Sequence, residues 1–290
     1  MAYRKDRNIT AEIPNYRRIL AHITPDRDHA AIYFEQSLDL SRTLPWLEAE
    51  RERTGKKITF LHLCLAATGR ILNQRPQLNR YCKGWRLYQR DGVTITISVK
   101  KSLEDGAKIV MLKVPITIDD TPETIHDKVV AMVGKGRSGD THDEKETAFF
   151  LKLPGLILSP LVRLVLWLDR WHLLPGFFVD PDPMFTSMVC ANVGSVGIAP
   201  GYHHLYEYGN SPFFATIGAI HDAPAAVDGE LVVRPQVRIK YTFDERVDDA
   251  LSCALSLAGQ EEMIQDPESF VRGIRDYGGA PPRSREKPRP

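Results

Sequence analysis

Apolar and polar positions change period several times along the 290 residues, and each change predicts an element. From Asp39 to Arg53, DLSRTLPWLEAERER scatters a few apolar positions among charges at helical spacing and predicts a solvent-facing helix. Thr59 to Asn73, TFLHLCLAATGRILN, is apolar on nearly every side and predicts a buried helix that stops before Pro76. Short runs rich in β-branched and aromatic residues surround these two: Ala30 to Phe34, Trp85 to Gln89, Val93 to Val99, Ile109 to Val114, Met184 to Val193, Phe213 to Ile220, Leu231 to Val233 and Val237 to Phe243. Strands and helices interleave without a strict βαβ rhythm, which predicts an α/β fold with a mixed sheet and helices packed on it in two layers.

Near the end the pattern becomes denser. Asp228-Gly229 is a hairpin signal ahead of the last strand. That strand runs into a corner, Asp244 to Asp249, in which five of six residues are charged, and Asp249 to Ile264 then resumes helical spacing. The corner therefore falls at a strand-to-helix junction, where an aspartate favours the helix start. Residues 1–13 read as an N-terminal extension, 14–272 as one domain, and 273–290 as a disordered tail that is rich in Gly, Pro and Arg from Tyr277 onward.

Composition narrows the function. With 43% apolar and 26% charged residues the chain can bury a sizeable core, so a globular domain is expected. A formal charge of +1 gives no global field for nucleic acid or an anionic membrane, so any such binding needs a local patch. Cys64, Cys82, Cys190 and Cys253 show no ligand spacing, so neither a disulfide framework nor a zinc site is expected, and no metal. The opening MAYRKDRNIT carries charge without an apolar run, which points to the cytoplasm.

One segment stands out. From Leu151 to Val179 the chain reads LKLPGLILSPLVRLVLWLDRWHLLPGFFV. Its charge-free run, Leu153 to Val162, is too short to span a bilayer. From Ser159 it predicts an amphipathic helix with Arg163 and Arg170 on one face beside Leu164, Trp167, Leu168 and Trp171. Three uses stay open for it: packing in the core or against another subunit, a lid over an acyl-chain tunnel, or contact with a membrane surface.

Several segments in order, KKITFLHLCLAATGRILNQRPQLNRY, VTITISVKKSLEDGAKIVMLKV, VCANVGSVG, FFATIGAI and FDERVDDA, resemble the catalytic domain of the dihydrolipoyl acyltransferases of 2-oxoacid dehydrogenase complexes. More distantly they resemble chloramphenicol acetyltransferase. The resemblance covers roughly residues 14 to 272. It implies a trimer-forming fold with active sites in tunnels between subunits, acyl-CoA as substrate and no covalently bound cofactor. A homotrimer is the implied partnership, with a larger assembly left open, and without nucleic acid. No lipoyl-type domain is visible, so the chain is not expected to carry a swinging acyl arm.

The family's corner motif is DHRVxDG, whose histidine is the general base. Here Glu245 stands in that position and Ala250 replaces the glycine. The family's oxyanion serine falls on Ala191, followed by Asn192, and a one-residue shift would offer Cys190. Asp249 keeps the motif's aspartate, with Arg17 or Arg18 as its expected partner, and Arg246 is expected to quiet Glu245 wherever their side chains meet. Free glutamate titrates near ~4.3 and histidine near ~6.5, so a carboxylate base needs an environment that favours its protonated form. His203 and His204, beside Tyr202 and Tyr206, are substitute candidates. Two classes of function follow: acyl transfer by a non-standard base, or a catalytically inactive homotrimeric scaffold, binding or regulatory protein of the same fold.

Overall fold

The structure, a computed structural model, describes residues 5–100, 109–137, 152–274 and 276–277. Its centre is a mixed sheet of β2 (Ala31–Asp39), β5 (Val93–Lys100), β6 (Ile109–Ile116), β7 (Met188–Asn192), β8 (Phe213–Ile217), β9 (His221–Val227) and β10 (Glu230–Asp244). The strand order is β2-β10-β8-β7-β5-β6, with β9 pairing along the first half of β10. The β5–β7 and β7–β8 pairs are parallel and the others antiparallel.

Alternation along β10 shows how the sheet is seated. Val237, Ile239, Tyr241 and Phe243 are all buried, as expected for the face turned toward helices in a period-two strand. The helices on that face are α3 (Phe60–Gln74) and α7 (Ala250–Gln265), with α4 (Pro122–Arg137) beside α3. Helix α3 starts at Thr59, whose side chain and that of His62 form a reciprocal capping box. Helices α1 (Asn15–Ile23), α2 (Thr43–Thr54), α5 (Gly155–Arg170), α6 (Gly176–Val179) and α8 (Pro267–Arg272) complete the helices among the described residues.

Several boundaries differ from the sequence reading. The runs Leu231–Val233 and Val237–Phe243 form one strand, because Pro235 needs no ladder donor where β10 passes from β9 to β2. The expected strand from Met184 shrinks to β7, since Thr186 and Ser187 spend their hydroxyls on Thr94 beside it. In a second sheet, β1 (Arg7–Asn8), β4 (Arg86–Gln89) and β3 (Arg80–Lys83), β4 matches the expected run from Trp85 to Gln89, whereas β1, β3 and their separation from the main sheet were not anticipated. The hairpin of this second sheet turns at Gly84 and Trp85, both with positive φ (52° and 66°). A Cβ on Gly84 would sit 2.2 Å from the Arg170 carbonyl oxygen, so only glycine fits there. The Asp228-Gly229 turn has positive φ at both residues, as a two-residue hairpin requires.

Both ends of the expected domain pack further than the sequence suggested. Asp6 accepts from the Tyr81 hydroxyl at 2.7 Å and Ile9 is buried, so the described part of the extension belongs to the fold. Tyr277 is buried over Gly259 and joins the main core. The rest of the expected tail lies outside the described residues, apart from 273–274 and 276, as does Leu151 at the head of the apolar segment.

Candidate active site

Strand β10 delivers the charged corner and α7 leads away from it. Asp249 caps α7, its Oδ1 accepting from the Ser252 amide at 2.9 Å. The other charges are tied in. The Arg246 guanidinium donates to both Asp244 carboxylate oxygens at 2.8 and 2.7 Å, and to the carbonyls of Thr24 and Pro25 at 3.0 Å each. Burial works against its charge, but the Asp244 carboxylate outweighs that and pushes the Arg246 pKa up. Arg246 thus pairs with Asp244 and not with its sequence neighbour Glu245, the turn after β10 also bringing the Arg246 amide to Asp244 Oδ1 at 3.1 Å.

Arg17 on α1 reaches the same corner. Its Nη2 lies 3.7 Å from Asp248 and 3.8 Å from Asp249, and its Nη1 donates to the Glu245 carbonyl at 3.3 Å. Arg18 is exposed and bonds Asn15 instead. The Glu245 backbone is fixed from the other side too, its amide donating to the Ala30 carbonyl at 2.9 Å. The half-buried Glu245 carboxylate has no hydrogen bond or ion pair among the described residues. In a corner of paired charges it is the one left over.

The strand expected to hold the oxyanion donor looks different. Cys190 is buried in the main core, and burial pushes its thiol pKa well up. Ala191 faces the opposite side, packed with Val189 and Phe214. Asn192 ends the strand, its carbonyl accepting from the Ser195 hydroxyl at 2.8 Å. The next turn is tight: a Cβ on Gly194 would lie 2.2 Å from the Gly218 carbonyl oxygen. No side-chain hydroxyl stands on β7.

Register sets the distance between these two places. Ala191 pairs with Thr216, and Thr216 with Lys240. Glu245 lies five residues beyond Lys240, about 17 Å at strand rise. Within one chain the structure thus sets Glu245 away from Ala191, while Val189 at the other end of β7 is level, through Phe214, with Thr242.

His203 lies between the two. Its ring stacks on Phe214 at 3.9 Å between centroids and on His204 at 4.5 Å, while the Thr242 hydroxyl donates to its carbonyl. His204 is exposed. Both rings serve to cover the sheet face away from the helices, and neither is joined to the corner by a side-chain contact.

A cleft of about 340 Å³ opens on the other side of Arg246. Buried Arg27 and Arg246, Lys83, Trp85, Trp167 and Arg170 line it. Arg27 donates to the carbonyls of Tyr206 and Gly209, and Lys83 pairs with the buried Asp169 of α5 at 2.5 Å. Among the described residues no cluster could hold a metal ion, and no helix is long and apolar enough to cross a membrane.

The sequence matches no family model and no curated protein. Its fold does match. The probable dihydrolipoamide acetyltransferase of Listeria monocytogenes superposes with a TM-score of 0.56 at 15% identity, over 89% of this chain and 93% of that one. The dihydrolipoamide acetyltransferase of Azotobacter vinelandii gives 0.57 at 14%, over 88% and 91%. Crystallographic and enzymatic work on that enzyme concerns the role of a serine, a histidine and an asparagine in its catalytic mechanism. A chloramphenicol acetyltransferase gives 0.53 at 11%, over 90% and 98%. The chain therefore has the chloramphenicol acetyltransferase-like fold, the fold of dihydrolipoyl acyltransferase catalytic cores.

Proposed function

We propose that this protein transfers acyl groups from an acyl-CoA or a related thioester, with Glu245 as the general base. The observation that carries the reading is the Glu245 carboxylate, unpaired among the described residues in a corner where Asp244, Arg246, Asp248 and Asp249 all have partners. In the reaction, the acceptor's thiol or hydroxyl gives its proton to Glu245 as its sulfur or oxygen attacks the thioester carbonyl. The carbon–sulfur bond then breaks, and the departing thiolate takes that proton back from Glu245.

The sheet register supports placing this site between subunits. Glu245 and Ala191 are offset by about 17 Å along the strand direction in one chain, so a site using both draws them from two copies. We therefore take the working form to be a homotrimer. A fourth solved structure of this fold, the cubic core of a pyruvate dehydrogenase multienzyme complex, is itself an assembly.

A second reading rests on β7. Ala191 has no hydroxyl and Cys190 is turned into the core, so side-chain help for an oxyanion is missing there. An inactive scaffold of the same fold accounts for that loss. Release of free CoA thiol from acetyl-CoA and longer acyl-CoAs, with a dithiol acceptor, separates the two. The enzyme reading expects turnover that falls at least about 100-fold in Glu245→Gln. Equal turnover in the variant removes Glu245 from the reaction, and a folded trimer without turnover on any acyl-CoA leaves the scaffold.

A further inference from the structure

The strongest feature outside the corner is the outer face of α5. Its inner side is already satisfied: Val165 and Leu168 pack against Leu174, Val179 and Phe185. The outer side is just as apolar. Leu156 (91% exposed), Ile157, Leu164, Trp167, Leu173 and Phe177 (76%) all stand in solvent. A helix that is apolar all round is ordinarily enclosed, and among the described residues this one is covered on one side only.

The charges of the same segment are sorted by sign. Lys152 and Arg163 are exposed and Arg170 is half-buried at the helix end. The single carboxylate between Lys152 and Val179 is Asp169, which is fully buried against Lys83. The next exposed carboxylate, Asp180, lies beyond α6, where the Lys113 ammonium donates to its carbonyl at 2.9 Å. Among the described residues, the side chains that α5 itself offers to solvent are thus apolar or cationic, with the Asp26 and Glu207 carboxylates beside Trp167 and Arg170 at the cleft, although the whole chain is nearly neutral.

From this arrangement we infer that α5 and its C-terminal flank form a docking face for an anionic lipid bilayer surface. Leucine, phenylalanine and tryptophan side chains enter the boundary between headgroups and acyl chains, and the cations meet lipid phosphates. At about 24 Å, α5 lies along the surface and does not span it. Pro160, inside the helix, leaves the Leu156 carbonyl without its helical donor. That is tolerable at the hydrated headgroup level and costly in hydrocarbon.

Flotation of the full chain with phosphatidylcholine vesicles, with and without about 30% phosphatidylglycerol, tests this. Binding to the anionic vesicles is expected, with little on phosphatidylcholine alone and a sharp loss at high salt. Arg163→Glu should weaken binding about five-fold or more. Leu156→Glu and Phe177→Glu should each weaken it more than about ten-fold at unchanged melting temperature, since both sites are exposed. Equal binding to neutral vesicles, or full binding by the two apolar-to-acidic variants, overturns the inference. So does absence of vesicle binding, and if Leu156→Glu then lowers the assembly's mass by light scattering, the face is a contact between copies. None of these readouts depends on acyl transfer.

Discussion

Helices α3 and α5 are nearly equal in length and both rich in leucine, yet their surroundings are opposite. Twelve of the fifteen residues of α3 are buried, whereas in α5 the only buried residue is an aspartate. Helix α3 lies on the sheet between α4 and α7, so every side of it meets protein. Helix α5 meets protein along one side, and there a buried ion pair accompanies the apolar packing. Hydrophobicity alone tells how much surface a segment can bury, not what will cover it.

The largest expected effect breaks the contrast from the side of α5. Lys83→Met removes the ammonium paired with buried Asp169 and should cost about 3–5 kcal/mol in urea unfolding, with early loss of amide protection in α5. A cost below about 1 kcal/mol would show that the pair does not hold the helix. Truncation on the two helices should differ sharply. Leu63→Ala in α3 should cost about 2–5 kcal/mol, whereas Leu156→Ala in α5 should stay within about 0.5 kcal/mol.

The capping box of α3 predicts a pH effect. Burial first, and the neighbouring His126 second, lower the pKa of His62 to about 4. Its Nδ1 accepts from the Thr59 amide at 3.0 Å, which requires the neutral ring. The unfolded chain therefore binds a proton near pH 6.5 that the fold refuses. Stability from this group is complete above that pH and drains away as pH falls toward 4, by up to roughly 3 kcal/mol. In His62→Gln that part of the acid sensitivity should disappear, as seen in melts taken from pH 7 to 4. Smaller still, Asp249→Ala should cost about 1 kcal/mol through the α7 cap.

Much of the fold was legible in the sequence because its signals are local. The spacing of Thr59 to Asn73, the Asp228-Gly229 turn and the alternation after Val237 each report on their own neighbours. Two strands of the small sheet were missed because Arg80 to Lys83 and Arg7-Asn8 are too short and too charged to show a period of two. Helices α1 and α4 were missed as well, their exposed faces diluting the apolar pattern. In the site, sequence adjacency left open whether Arg246 meets Glu245, and the turn after β10 joins Arg246 to Asp244 instead. The arginine that reaches Asp249 comes from α1, more than two hundred residues away in the chain. No local pattern could choose between Arg17 and Arg18 except the burial of one and the exposure of the other.

The role assigned to Glu245 is tested most directly by one measurement: the rate of CoA release from an acyl-CoA by wild-type protein and by Glu245→Gln, both verified as the same folded assembly. The account predicts turnover in the first and a loss of about 100-fold or more in the second. Equal rates in the two would contradict it.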